Sequence, residues 1–94
     1  MGKIAELLPV GSVVIVRGST RKLMIMGILQ QDPQTEDGVY DYLGVTYPVG
    51  FLGANADNVA LFNSDDVTDV IFKGYHDEER ERMLADLQKL TETE

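Results

Sequence analysis

The chain has 94 residues, of which 44% are hydrophobic, enough for one small domain with a single core. It contains no cysteine, which excludes disulfides, thiol catalysis and cysteine-based zinc sites. A net charge of −8 opposes binding to a phosphate backbone, and no apolar run approaches the roughly 20 residues of a membrane helix. We therefore expect a cytoplasmic protein whose partners are neither nucleic acids nor membranes.

The charge is unevenly distributed along the chain. Residues 1–31 carry four basic residues against one acidic residue, whereas residues 32–94 carry 15 acidic residues against four basic ones. The simplest interpretation is that the acidic half keeps the protein soluble. The alternative is that the acidic half faces a basic partner.

Residues 12–31 predict a β-hairpin. Two apolar runs, at residues 13–16 and 23–26, flank a polar segment that contains glycine, which is typical of two strands and a turn. The alternative is a single buried helix, in which Gly18 and Gly27 would be costly. We predict strands at about 12–17 and 22–31, with a bulge or bend at Gly27.

Three further strands are expected after a polar loop at residues 31–38. The third strand, at 39–48, alternates, with Leu43 and Val45 on one face and Tyr40 and Tyr42 on the other. Residues 49–58 predict an irregular loop with an apolar pair, Phe51 and Leu52. A fourth strand at 59–62 and a fifth at 67–72 flank one capped helical turn.

The C-terminal segment predicts an amphipathic helix at about 77–91. Its apolar residues recur at helical spacing and form a narrow stripe of Met83, Leu84, Leu87 and Leu90. Such a stripe buries one face only. We expect it to pack on its own domain in the free protein; the alternative is that it swings out into a groove of a partner.

Together these elements predict a mainly β (α+β) fold, a small five-stranded antiparallel SH3-like barrel with a C-terminal amphipathic helix. The whole chain, 1–94, forms one domain, with the barrel at about 10–75. The first two strands are apolar on both faces, although an antiparallel strand with one wet face should alternate. We therefore expect Met24 or Met26 to lie under the helix or under a partner chain.

No catalytic site is evident from the residues. His76 is the one histidine, it lacks a marked nucleophile, and we expect a capping or surface role for it. Acidic residues at 65–69 and 77–81 do not match the calcium-binding loop, and residues 18–22 lack the spacing of a phosphate-binding loop. We expect no cofactor and no metal.

Several stretches, taken in order, resemble one family. They are residues 8–14 (LPVGSVV), 22–27 (KLMIMG), 40–45 (YDYLGV), 47–50 (YPVG), 61–63 (LFN) and 70–75 (VIFKGY). They look like the small proteins of unknown function that are encoded beside LXG toxins in type VII secretion loci of Gram-positive bacteria. The resemblance implies a non-enzymatic chaperone or targeting factor for an LXG toxin or a small WXG-like helical protein, and leaves co-export with that partner open.

Two functions remain as hypotheses. The first is this interaction module for type VII secretion; the alternative is a small barrel that binds a ligand or nucleic acid and has no link to secretion. The residues disfavour an enzyme, because no set of catalytic side chains is evident in the sequence. The residues expected to contact a protein partner are Phe51, Leu52, Tyr40, Tyr42, Tyr47, Met83, Leu84, Leu87 and Leu90.

Overall fold

The computed structural model describes residues 6–31, 38–53 and 57–92. Within them the chain forms five strands and one long helix, and a 3₁₀ turn at Ser64–Asp66 precedes the last strand. The strands are β1 (Val13–Val16), β2 (Lys22–Gln31), β3 (Val39–Thr46), β4 (Val59–Phe62) and β5 (Val67–Phe72), and the helix is α1 (Glu78–Glu92). Most of the predicted loop at 31–38, and residues 54–56 of the predicted loop at 49–58, lie outside the described residues.

The strands form one antiparallel sheet in the order β4-β3-β2-β1-β5. The predicted hairpin is confirmed, with Val13 opposite Met24 and Val14 opposite Leu23. Its turn contains Gly18 at a φ of 82°, a conformation that side-chain-bearing residues rarely adopt. The bend expected near Gly27 is present as a register shift between Ile25 and Gly27 against β3.

The sheet is open. In the described part of the chain β4 and β5 are its two edges, and each pairs with a single neighbour, β3 or β1. Closure into a barrel requires the edge strands to pair with each other, so the mainly β prediction is confirmed and the closed barrel is not. A helix, rather than a second ladder of strands, covers one face of the sheet.

The two faces of the sheet are distinguished by what covers them. The inner face carries the core, in which Leu84 of α1 packs with the buried residues Leu7, Val14, Leu23, Ile25, Tyr42 and Phe62. Leu87 packs against the same cluster. The helix therefore lies on the sheet in the free chain, as its narrow apolar stripe predicted. We call the opposite face the outer face.

Close backbone contacts tie the end of β5 to the N-terminal segment. A Cβ atom at Gly74 would lie 2.6 Å from the carbonyl oxygen of Val10, so a side chain cannot be accommodated there without movement. The Gly74 N–H donates to Ser12 Oγ at 2.9 Å, and the Ser12 hydroxyl donates to the Pro9 carbonyl at 2.7 Å. This buried serine joins the segment before β1 to the segment after β5.

A second buried polar contact fixes the 3₁₀ turn against β3. Asp41 is fully buried, and its Oδ2 accepts the Ser64 N–H at 2.8 Å. The Asp41 N–H in turn donates to Asn63 Oδ1 at 3.0 Å, and Asp66 Oδ2 accepts the Asn63 N–H. The helical turn predicted at 63–66 is thus held by both a cap and a strand.

Candidate binding surface

The outer face carries a continuous row of apolar side chains across all five strands. Directly paired residues on neighbouring strands place their side chains on the same face. The ladders connect one residue from each strand in this way, in the order Val59, Val45, Met24, Val13 and Phe72. Val45, in the second position, is fully buried, whereas Phe72, at the β5 edge, is 59% exposed. The row therefore becomes more accessible toward β5.

A groove of about 370 Å³ lies at this accessible end. Val13 and Met24, from the row itself, line it together with Ile71 and Phe72 of β5. Gly11, Tyr47, which follows β3, and Lys22, at the start of β2, also line it. We call this cavity the outer groove; its walls are largely apolar, and Lys22 is the one charged residue among the described residues that line it.

Lys22 is held beside an aromatic ring. Its Nζ lies 5.8 Å from the centroid of the Tyr47 ring, within the range of a cation–π contact. Lys22 shares a cross-strand row with Ile15 and Asp69, so Ile15 stands between the lysine and the carboxylate. The salt bridge found in the described residues joins Arg80 to Glu81 and does not involve Lys22. The positive charge at the outer groove is therefore accessible to a partner.

The segment that follows Tyr47 carries further exposed apolar side chains. Val49, Phe51 and Leu52 are all more than half exposed. The start of this loop is ordered by Asn58, whose Nδ2 donates to the Gly50 carbonyl at 2.6 Å and to Thr46 Oγ1 at 3.3 Å. Exposure of several large apolar residues in one segment is typical of an interaction surface.

The helix presents a separate apolar surface. Met83 is 41% exposed and Leu90 is 64% exposed, whereas Leu84 is buried at 3%. Met83 lines a second cavity of about 460 Å³ with Leu8, Val10, Ile28 and Tyr75, and Asp77, Glu79 and Arg80 add charge at this cavity. This second cavity differs from the outer groove because carboxylates line it.

The structure does not bring all the predicted contact residues together. Phe51, Leu52 and Tyr47 share one loop region, and Met83 and Leu90 lie on α1. Tyr40 is half-buried and Leu87 packs against the core. Tyr42 and Leu84 lie in the core, so neither can touch a partner in this conformation. The alternating pattern placed Tyr42 on a strand and the helical spacing placed Leu84 on a helix. Neither pattern could show which face of the strand or helix is buried.

The residues of the outer groove were not predicted as site residues. The sequence signal was present, because β1 and β2 are apolar on both faces and Met24 or Met26 was expected to lie under the helix or under a partner chain. Met24 is half-buried in the outer groove, on the face opposite the buried Leu84. Phe72 and Lys22 could not be assigned to this groove from the sequence. Their positions depend on the register of β1 with β5 and with β2, which the sequence does not reveal.

The candidates for catalysis or metal binding were His76 and the acidic residues. His76 is exposed, with its Nδ1 3.3 Å from the Gly74 carbonyl oxygen. Across residues 6–31, 38–53 and 57–92, no group of three or more His, Asp or Glu side chains could hold a metal ion. No helix in the described part of the chain is long and apolar enough to span a membrane.

The fold and this surface define a small open-sheet domain with one face under a helix and an apolar groove on the other. The family model for the domain of unknown function DUF4176 matches residues 7–83, so the chain belongs to that family. Neither the comparison with curated proteins nor that with solved structures gave a match.

Proposed function

We propose that this protein is a non-enzymatic accessory protein, a chaperone or targeting factor, that binds an LXG-type toxin or a small WXG-like helical protein for type VII secretion in a Gram-positive bacterium. It would act in the cytoplasm, and co-export with its partner is compatible with this role. The choice of this partner rests on the resemblance of the sequence motifs to proteins encoded beside LXG toxins. Five short strands with a helical turn before the last support the SH3-like comparison, here in an open form.

The observation that carries the proposal is the exposure of large apolar side chains at the outer groove and in the loop after β3. Phe72, Phe51 and Leu52 are each more than half exposed. Burying one large apolar side chain contributes about 1.5–3 kcal/mol, so a small domain that leaves several exposed forgoes much of its own stability. A partner that covers them explains why the chain retains them.

Co-expression with the N-terminal region of the neighbouring LXG toxin tests the proposal. The wild-type protein should co-purify with that region, and a variant with both Phe51→Asp and Leu52→Asp should not. Placing carboxylates in a contact that excludes water costs several kcal/mol, which lowers the affinity more than 100-fold.

Leu90→Asp is the matched control, because Leu90 is 64% exposed and Leu52 is 63% exposed. This change on α1 should leave co-purification intact. If a folded Leu90→Asp protein no longer bound the toxin region while the loop variant still bound it, the interface would lie on the helix. Failure of the wild type to co-purify would contradict the proposed function.

A further inference from the structure

We propose that the outer groove seats an apolar side chain from an amphipathic helix of another protein, and that carboxylates beside that side chain pair with Lys22. This inference rests on the proposed partner-binding role and names the surface and the chemistry of the partner. The apolar walls of the groove, Val13, Met24, Ile71 and Phe72, fit a large aliphatic or aromatic anchor.

The positive charge of Lys22 at the outer groove favours a partner segment with acidic side chains. The chain has 16 acidic and eight basic residues, yet the charged residue that lines this groove is Lys22. Complementary charges at an interface direct partner choice and orientation. A carboxylate next to the anchor would reach Lys22, whereas a lysine there would be repelled.

The edge geometry favours a helix over an added strand. β5 is the edge nearest the groove, and its pairing with β1 shifts register twice, between Val13 and Val14 and between Ile15 and Val16. Bulges of this kind twist an edge away from further pairing. A strand lying on the face of the sheet would leave its backbone groups unpaired, whereas a helix satisfies its own.

The same charge argues against a second copy of this chain on the same face. A twofold contact between two outer faces would be isologous, so each Lys22 would enter one interface with its equivalent. The described lining of the groove holds this lysine and no carboxylate, so the contact would double the positive charge without a partner for it, which is unfavourable for binding. We therefore take the occupant to be a different protein with acidic residues beside its apolar stripe.

Two synthetic helical peptides of about 18 residues test the charge requirement on the full chain. They share one leucine stripe and differ in carrying glutamate or lysine beside it. The glutamate peptide should bind roughly tenfold more tightly than the lysine peptide in a fluorescence-anisotropy titration. It should also shift the amide resonances of Val13, Met24 and Phe72.

Charge reversal at Lys22 separates specific pairing from general attraction. Lys22→Glu should invert the preference, so that the lysine peptide now binds more tightly. Lys89→Glu, an equal charge change at an exposed position of α1, should preserve the original preference. Phe72→Asp should abolish binding of both peptides. An unchanged preference in Lys22→Glu would overturn the inference, as would sedimentation of the wild type as a dimer that Phe72→Asp dissociates.

The toxin co-purification distinguishes this inference from the proposed function. If the toxin region binds the wild type, and equally well the folded Lys22→Glu and Phe72→Asp variants, the outer groove is wrong and the proposed function stands. If the toxin region does not bind the wild type but the glutamate peptide binds in a Lys22-dependent manner, the inference stands and the proposed function fails.

Discussion

Tyr42 shows how a residue with the properties of a contact residue can serve the core. Tyr42 is only 1% exposed, and its ring lies 5.5 Å from that of Phe62, centroid to centroid. Its hydroxyl oxygen accepts the Leu8 N–H at 2.9 Å and also lies 3.4 Å from Ser64 Oγ. The ring therefore fills the inner face while the hydroxyl fixes the N-terminal segment. Aromatic residues serve cores and interfaces equally well, so the sequence alone left the role of Tyr42 open.

We predict that Tyr42→Phe destabilises the protein without weakening partner binding. The change preserves the ring and leaves the Leu8 N–H without its acceptor, which should cost about 1–3 kcal/mol. In a domain of this size each kcal/mol lowers Tm by about 4–8 °C, which a thermal melt followed by circular dichroism will resolve.

Tyr40→Phe is the matched control, because Tyr40 is a half-buried tyrosine on the same strand. Its Tm should stay within a few degrees of the wild type. A Tyr42→Phe protein that melts like the wild type but no longer co-purifies with the toxin region would show that the hydroxyl serves binding instead.

The elements themselves were largely predictable, because each depends on local sequence. Alternation, Gly-bearing turns and helical spacing placed all five strands and α1 within a few residues of the observed bounds. β4 and β5 were predicted at 59–62 and 67–72 and are found there. The open sheet was not predictable, since closure depends on pairing between edges that are distant along the chain.

The packing of α1 on the inner face gives a prediction at the scale of this element. Leu84 is 3% exposed within the core cluster, so Leu84→Ala should destabilise the protein by about 2–5 kcal/mol. Its neighbour Met83 is 41% exposed, and Met83→Ala should change stability by less than about 0.5 kcal/mol. Urea unfolding of the two variants measures this difference. Equal stability of both would mean that the helix does not pack on the sheet in solution.

At the scale of the whole molecule, only part of the candidate site could be predicted. Phe51 and Leu52 stood out because two large apolar residues interrupt a loop rich in Gly and Asn. The outer groove is assembled from β1, β2, the segment after β3 and β5, and no local pattern reveals that Lys22, Tyr47 and Phe72 line one cavity. The two-faced apolar strands predicted that the outer face is covered by the helix or by a partner, and the register of the strands determines where that face is accessible.

The distribution of charge over the molecule predicts that it does not bind RNA at physiological salt. A net charge of −8 repels a polyanion, and the hairpin tip is the one basic region that could oppose this repulsion. There Arg17 is already engaged, since its Nη2 donates to the Asp65 carbonyl at 2.8 Å and its backbone N–H to the Asp66 carbonyl at 2.7 Å. Arg21 and Lys22 remain, too few for the several phosphate contacts that give micromolar affinity. Fluorescence anisotropy with labelled single-stranded RNA should therefore show no saturable binding, whereas micromolar binding that disappears in an Arg21→Glu, Lys22→Glu variant would contradict this prediction.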